Sequence, residues 1–137
     1  MVSPSVAMSD VDATVAFRAL LDEVIGDSAD KVCLSIAVNG TDADPSRAVM
    51  QSVVGHGPSH VLTHSACAAD ERNFGNPSGL LRLRDVAHVD QHTLIVHAEA
   101  IGEHSARYEC LIPIGARGQR ARCRMTERDW PGSQTRD

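Results

Sequence analysis

Residues 56–75, HGPSHVLTHSACAADERNFG, decide how the chain is to be folded. As a strand, HVLTHSACAA gives no clean two-residue alternation. As a helix, Val61, Leu62, Ser65, Ala66 and Ala69 make one narrow stripe of small and apolar residues. Pro58 stands where a first-turn proline is tolerated, and Gly75 where a helix-ending glycine belongs. The pattern predicts a helix over 58–73 lying close against a sheet, with Ala66 and Ala69 facing it.

On the N-terminal side, Ser9 reads as a helix cap with Asp10 and Asp12 in the first turn. Ala13, Phe17, Leu20, Leu21 and Val24 recur at helical spacing and Gly26 is a stop, which predicts a helix over 9–25. Residues 31–38 alternate Val32, Leu34, Ile36 and Val38 with smaller or polar residues, a strand with one buried face. Asn39-Gly40 turns the chain. Asp44 and Pro45 then suit the start of a short helix carrying Val49, Val53 and Val54 inward.

On the C-terminal side the period becomes two. Leu81, Leu83, Ala87 and Val89 form one set, interrupted by Asp85, which is either a buried acid or the mark of a β-bulge. Leu94, Val96, Ala98 and Ala100 form the next, then Ala106 to Ile114, then Ala121, Cys123 and Met125. Four strands in an antiparallel meander follow. Pairing about Gly102-Glu103-His104 sets Glu99 opposite Arg107 and His97 opposite Glu109, complementary charges on the polar face. The expected fold class is α+β, N-terminal helices with a C-terminal antiparallel sheet, in a single domain with residues 1–8 and 130–137 as tails.

Composition narrows the function. With 137 residues and 42% hydrophobic content a core can form, but aromatics are 3%, so it is built from small side chains and a homodimer would add burial. The net charge of −5 speaks against nucleic acid. Lys31 stands alone beside twelve arginines, a pattern that coding bias explains as well as phosphate binding. The start lacks a signal-peptide pattern, and no apolar run of about 18 residues exists to cross a membrane. Cys33, Cys67, Cys110 and Cys123 make no C-x-x-C, so reduced thiols in a cytoplasmic protein are expected.

The run from Leu80 to Asp129 resembles the sheet half of hot-dog fold thioesterases and dehydratases. His56-Gly57 is similar to the His-Gly-Gly that opens the helix in some of those thioesterases, with Pro58 in place of the second glycine. The resemblance implies a small homodimer acting on an acyl thioester without a cofactor. Gly57 and Ser59 would bind the carbonyl at the helix start, since free N–H groups there stabilise developing negative charge. His56 or His60 would act as base, with Asp70 or Glu71 assisting. Arg120, Arg122 and Arg124, spaced to share one strand face, would hold coenzyme A phosphates, or else protect an edge strand. His60 and His64 would share a helix face as metal-ligand pairs do, but solvated polar-face histidines explain the spacing better and no metal is expected. Two other readings stay open: a non-enzymatic binder of a small apolar ligand, and a cone-shaped nuclear-transport-factor-like fold. The cone would put Asp85, His97 and Tyr108 in a pocket as isomerase or cyclase residues.

Overall fold

The computed structural model describes residues 8–26, 30–74, 79–102, 104–115 and 120–128. The first helix, α1 (Asp10–Leu20), is capped by Ser9, whose hydroxyl accepts from the Asp12 amide at 3.1 Å. It runs into a π-helical turn, Leu21–Ile25, and stops at Gly26 with φ +57°. The strand β1 (Lys31–Val38) turns at Asn39 and Gly40, both at positive φ, into β2 (Thr41–Ala43). A short helix, α2 (Arg47–Ser52), follows; then come β3 (His60–Thr63) and α3 (His64–Phe74). The rest is the meander β4 (Gly79–Asp90), β5 (Thr93–Ile101), β6 (Ala106–Pro113) and β7 (Arg122–Arg128).

These strands make one seven-stranded sheet in the order β2-β1-β4-β5-β6-β7, with β3 also paired to β1. The β1–β3 and β1–β4 pairings are parallel and the others antiparallel. The molecule is therefore α+β. In the β5–β6 hairpin, Glu99 faces Arg107, His97 faces Glu109 and Val96 faces Cys110, the expected register.

One sheet face is apolar and carries α1, which packs on β4 and β6 and beside α2. Its core joins Phe17, Leu20 and Leu21 to Leu34, Leu81, Leu83, Leu94, Val96 and Cys110, all fully buried. Val49 and Val53 of the α2 region enter it as expected, whereas Val54 is 77% exposed. Ser46, not Asp44, caps α2, accepting from the Val49 amide at 3.2 Å.

Three further sequence expectations are corrected. The helix expected over 58–73 begins only at His64. Residues 60–63 instead pair with Lys31–Leu34, because a parallel neighbour to β1 satisfies their backbone groups and buries Leu62 and Val61 partly. Consequently Cys67, not Ala66, faces the sheet; Ala66 is exposed. In β4 the register shifts between Leu83 and Asp85, so a bulge turns Asp85 outward. Beyond it the faces exchange: Val86 pairs with buried Val96, while Ala87 faces outward and Val89 is exposed. Finally, the cysteines are not free thiols: Cys33 is bonded to Cys67 and Cys110 to Cys123. Pairs 34 and 13 residues apart in sequence are brought together by the fold, which spacing alone does not reveal.

Candidate functional site

The outer sheet face is polar, and register places its side chains in rows. Ser35 of β1, fully buried, donates to Asp42 of β2 at 2.7 Å. Asp42 accepts two bonds from Arg82 of β4, at 2.6 and 2.9 Å. Arg82 also donates to Glu99 of β5 at 2.8 Å. Glu99 is 3% exposed and accepts further from Arg84 (3.2 Å) and Arg107 (3.0 Å), and Arg107 reaches Glu127 at 3.1 Å. Arg82's bond holds the Asp42 carboxyl below its usual range, and Asp42 in turn raises the Arg82 pKa.

A second row crosses the sheet beside the bulge. His97 Nδ1 lies 2.8 Å from Asp85 and Nε2 lies 3.0 Å from Glu109, which accepts from Arg124 at 2.9 Å. Carboxylates only accept, so the imidazolium is the form of His97 that satisfies both neighbours. The bond to Asp85, then that to Glu109, raises the His97 pKa, and Arg124 and His97 lower that of Glu109.

The bulge also shapes a cavity of about 500 Å³ between the start of α1, the β1–β2 hairpin and β4. Met8, Ile36, Val38 and Val86 supply apolar wall, and Asp10, Asp44, Arg84 and Asp85 supply charge. Asp44 is held in place by α3, accepting from the Ser65 amide at 2.9 Å and from its hydroxyl. A carboxylate there also suits the positive end of that helix. The wall residues other than Asp85 carry only structural roles in the sequence reading, with no ligand-binding role. The signal available was the charged pair Arg84-Asp85 inside an alternating strand.

The residues expected from the thioesterase resemblance fall elsewhere. His56 lies 3.0 Å from Asp22 of the π turn. Gly57 sits in a loop at φ +69°, with a Cβ position only 3.0 Å from that of Leu21, so protein fills the space assigned to a carbonyl. Ser59 is 3.5 Å from His60, which opens β3 and donates its amide to the Asp30 carbonyl. His60 and His64 lie on different elements and share no helix face. The side chains of Asp70 and Glu71 lie outside the described residues. The arginine stripe is divided: Arg120 precedes β7 and binds Glu23 at 2.8 Å, Arg124 binds Glu109, and Arg122 is exposed.

A more open depression of about 340 Å³ brings Asp22, Glu23 and Arg120 together, but Glu23 already neutralises the arginine and raises its pKa. Of the three residues expected in the cone's pocket, Asp85 lines the cavity and His97 supports it from the outer face. Tyr108 pairs with Ala98 on the other face. Among the described residues, no three His, Cys, Asp or Glu side chains could hold a metal ion, and no helix is long and apolar enough to cross a membrane. No protein-family model, curated protein or solved structure matches the chain.

Proposed function

We propose that this chain binds a small, largely apolar molecule in the cavity beside the β4 bulge. The observation that carries the reading is the cavity itself: its volume suits a small ligand, with aliphatic walls and a few convergent charges. An acyl group is a fitting occupant, but hydrolysis at Gly57 loses its support because 60–63 is a strand and no helix starts there. The placement of α1 and α2 on one face of the main sheet, with α3 on the other, favours the cone-like architecture over the hot-dog one.

The test is saturable binding of an environment-sensitive neutral fluorophore, N-phenyl-1-naphthylamine, to wild type and to Val38→Trp, which adds bulk to the cavity wall. Wild type should bind, and the variant should bind more than about tenfold more weakly, a loss above 1.4 kcal/mol. Equal affinity in both would remove the cavity from the argument.

A second reading has one observation in its favour. The Asp85 carboxylate lines the cavity and is held by His97, the arrangement of a positioned base for proton transfer, as an isomerase or cyclase would use. In that case Asp85→Asn would abolish turnover of an activated carbonyl substrate while retaining fluorophore binding. A homodimer belongs to both readings, since Leu111 and Met125 stand exposed on the sheet. Light scattering at micromolar concentration should give twice the 14.7 kDa chain mass, and a monomer mass would exclude it.

A further inference from the structure

Among the described residues, the two disulfides join elements that otherwise bury little. Over 64–69 of α3 the buried residue is Cys67, with Ser65 and Ala66 exposed. In β7, no residue of Arg122–Arg128 is fully buried. Each of these elements carries one cysteine, bonded to a buried cysteine of a core strand: Cys33 in β1 and Cys110 in β6. The apolar core of α1, β1, β4, β5 and β6 includes Cys110 but is otherwise built of residues outside both bridges. Cys33 alternates with Val32 and Leu34 of the core, so it points to the outer face and holds α3 there.

We infer that the two disulfides are the fastenings of α3 and β7, that attachment of both elements is redox-dependent, and that the chain matures where thiols are oxidised. Among the described side chains, the other ties on α3 are polar: His64 lies 3.8 Å from Asp42, and the rest lie at the surface. The Thr63 hydroxyl accepts from the Ala66 amide and Asp44 binds Ser65, all of them solvent-exposed contacts. Each bridge also closes a chain loop, which restricts the unbound alternatives of the element it fastens. Because Asp44 lines the cavity and holds the first turn of α3, release of α3 also loosens one cavity wall. That last consequence rests on the cavity reading; the fastening does not.

Reduction by a dithiol gives each bridge two electrons and two protons, leaving two thiols and the cyclic disulfide of the reagent. The experiment is hydrogen exchange on the full chain, untreated and treated with dithiothreitol, alongside Cys33→Ala/Cys67→Ala and Cys110→Ala/Cys123→Ala. The untreated chain, prepared from an oxidising compartment, should present no titratable thiol in denaturant. Amides of 64–69 should exchange on the order of a hundredfold faster in the first double variant, and those of 122–128 in the second. Amides of β5 should keep their protection in both.

Unchanged exchange in both segments, or titratable thiols in the untreated chain, would overturn the inference. So would loss of β5 protection together with either segment. If a double variant does not fold, stepwise reduction of the native chain decides: local release before global opening supports the fastening, and simultaneous loss refutes it. Fluorophore binding separates the two ideas. Failure of wild type to bind overturns the cavity reading alone. Unchanged affinity in a variant whose α3 exchange has risen overturns the link through Asp44.

Discussion

Replacing Glu99 with alanine should be among the most damaging single changes on the outer face. Glu99 accepts from three guanidiniums, those of Arg82, Arg84 and Arg107, at 2.8, 3.2 and 3.0 Å, and its side chain is 4% exposed. Removing one partner of a buried ion pair costs about 3–5 kcal/mol, because the other charges stay in place uncompensated. Here the arginines are 25%, 48% and 35% exposed, so water recovers part of that. Asp42 and Glu127 also continue to hold Arg82 and Arg107. The expected loss is therefore at the low end, about 3 kcal/mol, or roughly 10 °C in Tm for a domain of this size. Urea unfolding of wild type and Glu99→Ala, with Arg124→Ala as a surface control expected to lose under about 1 kcal/mol, measures it. High salt should narrow the difference by screening the exposed guanidiniums. A Glu99→Ala loss no larger than the control's would refute the idea that this carboxylate holds the row together.

The pH dependence of the second row has a definite sign. Because the folded pKa of His97 is raised, its stabilisation is fully present below the unfolded value near 6.5 and is lost as pH rises through the folded value. The stability gap between wild type and His97→Gln should thus shrink from pH 6 to pH 9 in urea melts; a widening gap would contradict the geometry. Gly57→Ala should cost about 1–3 kcal/mol, since φ +69° is strained for alanine and its Cβ would press on Leu21; thermal melts showing no loss would place that loop elsewhere. Ala66→Leu should change stability by no more than about 0.5 kcal/mol because Ala66 is exposed, and a loss of the overpacking kind would mean that residue faces the sheet after all.

The meander was readable because its two faces carry different information. Apolar alternation set which residues point inward, and the pairs Glu99–Arg107 and His97–Glu109 set the register independently. The bulge was half-readable: Asp85 announced an irregularity, but the exchange of faces beyond it follows only from the observed pairing with His97. Residues 58–63 misled because β3 is four residues long and its identity comes from its neighbour β1. Small residues on a short segment fit a helix locally, and only the tertiary pairing overrides that preference. The cavity drew residues from α1, the β1–β2 hairpin, the loop before α2 and β4, none sharing a motif, so nothing in the linear order joined them.

The parallel pairing of β1 with β4 has a consequence for how the chain reaches its native state. Leu34 lies beside Leu81, so the β1–β4 seam forms only when the whole intervening segment has been drawn into a loop. The β4–β7 meander needs only short closures, and its hairpins can assemble early as a nucleus. Docking of β1 on that nucleus is then the late, slow event, and with it comes burial of the α1 face. Mutations in the β5–β6 hairpin should chiefly slow folding, whereas mutations along the β1–β4 seam should chiefly speed unfolding.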